Sequence, residues 1–429
     1  MNLLQNRISM ATIDLFINIL KIMPFRMDGN VVQVSMKDVA RFSIMRQHLS
    51  GTPGENFGKK QKILEVMKDI KYVQIDPVYT VERSHFLTLW SRIGNFNRQN
   101  LLDLIYRDHL LVESYAHQAS ISIIDDLHIL KMSMNERKGR YLKTHPEIKP
   151  SIEQIKELIR STGPTTSNKL SELKIESGIS GWGHERKVNL LLNLMHRMGE
   201  LIICDRTESN QKVWNVPDND FSESIEKNTI DRKEVEKVVF QKSLESLGIA
   251  SPEQIIRHYS PVTISNRVQI VKELQDESVI EPVEITNNNS KMRKKWFILK
   301  KDIPYLENLE NNWMPPSVLL SPFDNLTIDR KRTEEIFNFD SRMEMYIPEH
   351  KRKYGFYCMP FLHGGRIIGR VDLKLDRYNR ELKINAIYDE GRYFSQKRVV
   401  GTMIDSLNSL SEFLNASSIK IPQTIQYSK

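Results

Sequence analysis

A mixed α+β fold, with three tandem winged-helix units followed by a C-terminal antiparallel β-barrel-like domain, is predicted by three observations. Two stretches of the chain repeat one order, in which two shorter helical segments and a longer amphipathic helix precede a two-stranded hairpin, and a third stretch follows it less regularly. Beyond about residue 340, apolar and alternating runs separated by turn clusters replace the helical period. The 429 residues are also enough for three or four compact units.

The order is clearest in the second unit, 146–230. Ser151 is placed to cap Ile152–Arg160, with Gln154 at the capping-box position. Gly163-Pro164 breaks the chain before a short helix, Thr165–Leu173. His184–Met198 then carries Val188, Leu191, Leu192 and Met195 at helical spacing, and Gly199 is placed to end it. Leu201–Cys204 and Lys212–Val216 are strands around a polar turn. The third unit, 231–300, repeats the plan with helices Val235–Leu247, Pro252–Tyr259 and Ser265–Gln275. Its hairpin has strands Ser278–Ile285 and Lys295–Lys300 around Asn287–Ser290.

The first unit, 35–145, is less regular. Helices are expected at Ser35–Gln47, Lys60–Ile70 and Leu101–Asp108, a loop at Gly51–Gly58, and an extended Leu111–Ser120. In the C-terminal domain, 301–429, strands are expected at Glu344–Ile347, Phe356–Phe361, Arg366–Lys374 and Leu382–Ile387, closed by a helix over Gln396–Leu414. Residues 1–34 read as an N-terminal extension or an upstream start, since Met10, Met23, Met27 and Met36 offer later ones.

Composition narrows the class. Lys and Arg number 62 against 54 Asp and Glu, a formal charge of +8, which favours a polyanionic partner. Cys204 and Cys358 are far apart and lack metal-ligand spacing, so neither a disulfide framework nor a structural zinc is expected, and a reducing cytoplasm fits. No run of about 18 apolar residues is present, so no membrane span is expected. No HExxH, P-loop, GxGxxG or GxSxG occurs. No metal site or cofactor is expected. Without a coiled-coil or dimer motif, the default is a monomer.

The chemistry-bearing stretch is Tyr72-Val73-Gln74-Ile75-Asp76-Pro77. Pro77 disfavours helical geometry at Asp76. In an extended segment Gln74 and Asp76 would share one side while Val73 and Ile75 enter a core. An amide beside a carboxylate on a fixed backbone can hold and polarise a water molecule. The plain alternative is a buried strand whose Asp caps the next turn.

Basic residues cluster where DNA-binding winged helices make contact. Trp182 precedes a helix opened by Arg186 and Lys187. Arg293 and Lys294, with Lys291 and Lys295, lie on the third hairpin. Arg330, Lys331 and Arg332 form one run, and Lys351, Arg352 and Lys353 another. Two such runs beside basic hairpins suit a surface that tracks phosphates. His117, read alone, is a lone histidine of the kind that is usually structural. Asp324 and Asp329 match no familiar metal spacing.

Gln74-Ile75-Asp76, Val81-Glu82-Arg83-Ser84-His85 and Leu89–Gly94 together resemble the winged-helix DNA glycosylases of the YcaQ/AlkX and AlkZ group. Glu113 with Tyr115-Ala116-His117, Gly181-Trp182-Gly183, Ser321-Pro322-Phe323-Asp324, Asp329-Arg330, and Phe339–Arg377 extend the resemblance from about Val34 to the C-terminus. It implies catalysis by Gln74 and Asp76, the Asp version of the motif. It adds Arg83, His117 and Arg370 to the DNA-binding candidates. It further implies a monofunctional enzyme of the prokaryotic cytoplasm and nucleoid, acting on double-stranded DNA that carries N7-alkylated purines or interstrand crosslinks. The three-unit basic channel and attack with little base flipping are likewise implied only by resemblance. From the residues alone, a non-catalytic winged-helix DNA-binding protein, either a regulator or an architectural factor, stays open. So does a scaffold for protein partners.

Overall fold

The computed structural model describes residues 26–28, 31–51, 60–116, 118–172, 184–217, 231–287, 290–421 and 426–427; at 26–28, 184–186, 287, 290–291 and 426–427 only the backbone is described. It is a mixed α+β structure. The expected loop at Gly51–Gly58 and the tip of the third hairpin lie largely outside these residues.

The first strands, β1 (Arg26–Asp28) and β2 (Val31–Ser35), form an antiparallel pair. Ser35 then caps α1 (Met36–Arg46). Its hydroxyl accepts from the Asp38 N–H at 3.2 Å, while the Asp38 carboxylate reaches back to the Ser35 N–H. Helix α2 (Lys60–Ile70) passes through Lys71, at φ 73°, into β3 (Tyr72–Gln74). The left-handed conformation at Lys71 costs on the order of 1 kcal/mol. An ion pair from Lys71 Nζ to Glu245 at 2.5 Å ties the turn down.

Helices α3 (Ser84–Ile93) and α4 (Arg98–Tyr106) follow, then the hairpin β4 (Leu111–Tyr115) and β5 (Ala119–Ile123), whose second strand pairs with β3. Helix α3 was not expected from the sequence, although Ser84, Thr88, Ser91 and Arg92 recur at helical spacing; all ten of its residues are inside, so this polar stripe faces the interior and not solvent. The long α5 (Leu127–Thr144) was also missed. Its buried residues are confined to the stretch from Leu127 to Met134, and the polar remainder gives no apolar stripe.

The second unit contains α6 (Lys149–Thr162), β6 (Thr165–Thr166), α7 (Ser167–Glu172), α8 (His184–Arg197) and the hairpin β7 (Ile202–Arg206) and β8 (Lys212–Asn215). Strand β6 adds to β8, giving three strands in the order β6-β8-β7. Val188, Leu191, Leu192 and Met195, the residues picked out by helical spacing, are buried against Ile155, Ile159 and Trp214.

In the third unit, α9 (Arg232–Leu247), β9 (Ile249–Ala250), α10 (Pro252–His258) and α11 (Arg267–Asp276) precede β10 (Ile280–Asn287), β11 (Ser290–Lys291) and β12 (Trp296–Leu299). Its sheet is larger than the sequence implied, because β2 lies parallel to β10 from Val283↔Val32 to Thr286↔Ser35. Residues 31–34, read as the end of an extension, are therefore a strand of this sheet. Both its faces are covered. Phe297 and Leu299 meet α9–α11, while Trp296 and Ile298 meet α1. All four residues of β12 are buried for that reason.

Gly248 ends α9 at φ 76°, and a Cβ there would sit 2.8 Å from the Phe42 ring of α1, so only glycine fits this joint.

Two short helices, α12 (Ile303–Glu307) and α13 (Leu309–Asn312), lead through β13 (Ser317–Leu319) to α14 (Arg330–Phe337). Then β14 (Cys358–His363), β15 (Arg366–Asp376) and β16 (Glu381–Asp389) form an antiparallel, curled half-barrel with β13, closed by α15 (Lys397–Phe413). Two expectations are corrected here. Glu344–Ile347 is not a strand: Glu344–Tyr346 forms a helical turn, and the buried Glu344 carboxylate accepts from the backbone N–H groups of Lys353 and Tyr354. The sheet is also not purely antiparallel, since β17 (Ser418–Lys420) and β18 (Gln426–Tyr427) both run parallel to β16.

The first unit and the half-barrel share one hydrophobic core. Ile63, Val66, Leu87 and Trp90 belong to the same cluster as Leu319, Phe361, Val371 and Leu407. Where that core meets the third unit, a buried ion pair joins Arg92 to Asp324 through two bonds of 2.7 and 2.9 Å. Arg92 also donates to Gln47, whose amide donates to Ser246. Removing one member of such a pair strands the other, at about 3–5 kcal/mol. Arg92→Ala should therefore lower the urea midpoint sharply. A change within about 0.5 kcal/mol, the usual range for a surface substitution, would contradict the joint.

Candidate active site

Strand β3 is held at both ends. The Asn325 side-chain amide donates to Ile70 O at 3.2 Å and to Tyr72 O at 2.8 Å. Along its length β3 pairs with β5, Gln74 opposite Ser120, and the Ile75 N–H extends the pairing to Ala119 O at 2.7 Å. Val73 is fully buried and Ile75 packs on the same core, as their spacing requires. Pro77 stops the strand, and Ser84 closes the bend: its hydroxyl donates to Gln74 O at 2.6 Å and accepts from the Asp76 N–H at 3.0 Å.

Among the described residues the Asp76 carboxylate accepts from two hydrogen-bond donors. Oδ1 accepts from the Val78 N–H at 2.9 Å, which is the turn cap that the plain reading expected. Oδ2 accepts from the Tyr346 hydroxyl at 2.5 Å. Gln74 and Asp76 are 8 % and 4 % exposed, and Gln74 Oε1 finds no partner among the described residues. A buried amide oxygen without a partner is costly, so groups of this kind recur where a ligand supplies the missing bond.

Next to this pair, the Tyr79 ring packs against two guanidinium groups, Arg377 at 3.5 Å and Arg83 at 4.7 Å from its centroid. Arg377 donates to Val81 O, and the Leu375 N–H to Thr80 O, so the end of β15 supports the segment after Asp76. Further along, Glu113 of β4 is gripped by Arg206 of β7 through bonds of 2.6 and 2.7 Å and by the Tyr106 hydroxyl. Burial would raise the Glu113 carboxyl, but these partners hold it at about 2.

The basic candidates divide into three groups. Arg330, Lys331, Lys351, Lys353 and Arg293 are exposed. Arg83, Lys187, Lys294 and Arg352 are half-buried, with Lys294 paired to Glu335 at 2.6 Å. Arg293 and Lys294 line a groove of about 600 Å³ between α11 and the β10–β12 hairpin, away from Asp76 in the fold. Arg332 and Arg370 are corrected, because neither presents its side chain to a ligand. Arg332 is 3 % exposed and donates to Leu247 O, Ile249 O, Ser43 Oγ and Gln254 Oε1, satisfying carbonyls at the end of α9. Arg370 is 2 % exposed, stacks on Tyr354 and Phe339, and pairs with Glu390. His117 and Trp182 lie outside the described residues, as does the Arg186 side chain. Asp324 holds Arg92, and Asp329 caps α14 and pairs with Arg257. Among the described residues no cluster of potential metal ligands occurs and no helix is long and apolar enough to cross a membrane.

Tyr346, Tyr79 and Arg377 were not singled out by the sequence. Tyr346 reaches Asp76 across 270 residues, and no local spacing signals such a contact.

A family model described as "DNA glycosylase AlkZ-like" matches residues 67–398, more than half of the chain, and the protein belongs to the AlkZ-like DNA glycosylase family. Among solved structures, the chain is similar to the Streptomyces sahachiroi DNA glycosylase AlkZ, with a TM-score of 0.59 and 14 % identity. That match covers 92 % of this chain and 100 % of the other, and at this identity it speaks for the fold.

The Glu113 pair sets a pH-dependent term. A depressed carboxyl stabilises the fold above its ordinary value near 4.5, and the gain is lost as pH falls towards about 2. Glu113→Gln should therefore be less stable than the wild type at neutral pH. The two proteins should converge in acid. An unchanged gap between the two melting curves at low pH would remove the pair from the account.

Proposed function

We propose that this glycosylase hydrolyses the N-glycosidic bond of N7-alkylated purines, N7-alkylguanine foremost, and unhooks interstrand crosslinks at the same centre. It acts as a monofunctional, monomeric enzyme on duplex DNA. The three helix–hairpin units are read as winged helices. The observation that carries the chemistry is the Gln74–Asp76 pair: a carboxylate fixed by two donors, beside an amide whose carbonyl oxygen has no partner among the described residues.

Alkylation at N7 leaves the base cationic, so it departs with little help from a general acid. As the C1′–N9 bond breaks, its electron pair leaves with the base and positive charge gathers on the sugar. The Asp76 carboxylate lowers the energy of that oxocarbenium-like state. A water whose O–H bonds to Gln74 Oε1 adds at C1′, and its proton passes to Asp76. No step calls for a redox or metal partner. Gln74 ends a strand clamped by Asn325 and Asp76 follows it directly in a bend closed by Ser84, so little geometry must be assembled at the moment of reaction.

Duplex contact is assigned to the exposed cations. Lys351 and Lys353 follow Tyr346 closely, and the Tyr346 hydroxyl lies on Asp76, so this basic run is anchored beside the reacting centre. Arg83 and Arg377 pack on Tyr79, on the segment just after Asp76. These cations fix position and carry no sequence information.

Two measurements test the reading. Asp76→Asn keeps the side-chain volume and the turn bond to Val78, so the melting temperature and DNA affinity should hold. Single-turnover release of N7-methylguanine should fall by roughly 10²–10⁴. Wild-type release by that variant would falsify the assignment. For the basic run, Lys351→Ala with Lys353→Ala should weaken damaged and undamaged DNA equally. It should also flatten the slope of log K against log salt by about 0.9 for each phosphate that is no longer neutralised. An unaltered slope would place the phosphates elsewhere.

A further inference from the structure

Tyr346 combines two properties that seldom coincide. Its residue is 60 % exposed, yet its hydroxyl lies 2.5 Å from Oδ2 of a carboxylate whose residue is 4 % exposed. The ring therefore runs from solvent down to the candidate catalytic group. Most tyrosine hydroxyls on an exposed side chain are left to water.

The surroundings hold the ring in that place. Tyr346 ends the helical turn Glu344–Tyr346, whose first residue is 1 % exposed and accepts the Lys353 and Tyr354 N–H groups at 3.2 and 3.4 Å. Arg352 Nε donates to Ile347 O at 2.9 Å, closing the other side of the loop. The edge of the ring meets Phe323, with centroids 6.3 Å apart and planes at 73°. Phe323 is 1 % exposed and belongs to the same segment as Asp324 and Asn325. One rigid segment thus supports both β3 and the tyrosine that touches Asp76.

We propose that Tyr346 is a positioning residue for the reaction, its hydroxyl fixing the Asp76 carboxylate and its exposed ring forming the surface on which the damaged nucleotide rests. Of the two donors seen on the carboxylate, the Val78 N–H is backbone and the Tyr346 hydroxyl is a side chain, so the second sets which lone pairs of Oδ2 remain for the sugar and the water. Burial, followed by the bond to Asp76 and its charge, pushes the phenol well above its ordinary value, so it stays a donor throughout the working range. A tyrosine suits the place because its face is apolar and its tip polar, and a base stacks on an aromatic ring without regard to sequence. Lys351 and Lys353, on the same loop, bring the phosphates of the strand to that face.

This inference rests on the catalytic reading of Asp76, and the two fail separately. Tyr346→Phe keeps the ring and removes only the hydroxyl. It should lower single-turnover release of N7-methylguanine about tenfold or more at saturating enzyme. The dissociation constant for lesion-bearing duplex and the melting temperature should stay where they are. Tyr346→Ala should lose the same rate and, in addition, bind the lesion-bearing duplex more weakly. A Tyr346→Phe enzyme at the wild-type rate, or one whose loss matches its unfolded fraction, overturns the hydroxyl's role. A Tyr346→Ala enzyme with wild-type affinity overturns the ring's. An inactive Asp76→Asn beside a fully active Tyr346→Phe sinks this inference alone, while a fully active Asp76→Asn sinks the reading beneath it.

Discussion

The bidentate ion pair between Arg92 and Asp324 is the interaction around which the molecule is arranged. Both side chains are completely buried, and removing either would leave the other as an uncompensated buried charge. Arg92 comes from the helix that follows the catalytic candidates, and Asp324 from the segment that precedes α14. Through Gln47 and Ser246 the same network reaches α1 and the end of α9. Four parts of the chain, distant in sequence, are registered against one another by hydrogen bonds that an apolar contact could not direct. The shared core of the first unit and the half-barrel supplies the bulk of the burial. The ion pair determines how these parts sit relative to one another.

From that joint the candidate site follows in two short steps. Asn325, next to Asp324, clamps the backbone on either side of Lys71 and so fixes where β3 begins. Phe323, on the other side, backs the ring of Tyr346. The strand that leads through Gln74 to Asp76 and the loop bearing Tyr346, Lys351 and Lys353 are thus referred to one rigid segment. An enzyme that works on a tethered or bulky lesion benefits from such a centre, because it can bring a preformed charge to the sugar without rebuilding its own geometry.

Legibility followed burial pattern. Helix α8, with its spaced Val188, Leu191, Leu192 and Met195, and the closing helix α15 could be read because one face of each is polar. Helix α3 also carries a polar stripe, Ser84, Thr88, Ser91 and Arg92, but it is short and turned inward, where Arg92 meets Asp324, and it was not picked out. The Gln74–Asp76 motif was visible from residue type and from Pro77, whereas its partner Tyr346 was not, since contacts across hundreds of residues leave no periodic trace. Charge runs misled in an instructive way. Arg330, Lys331 and Arg332 are adjacent on a helix, so they point in different directions, and the third turns inward to satisfy carbonyls at the end of α9. Arg370 sits in a strand whose two faces are both covered, and it is held by Glu390 and two aromatic rings. In both cases the charge is part of the fold's own wiring.

In the proposed reaction the sugar of the damaged nucleotide meets Asp76. A crystal structure of the protein bound to duplex DNA that carries a cationic azasugar in place of the damaged nucleoside, a mimic of the oxocarbenium state, would test that contact. An Asp76 carboxylate oxygen should lie within about 3.5 Å of the azasugar nitrogen or its adjacent carbon, with a water between that atom and Gln74 Oε1. An azasugar lodged instead in the groove between α11 and the β10–β12 hairpin, with Asp76 still covered, would contradict it.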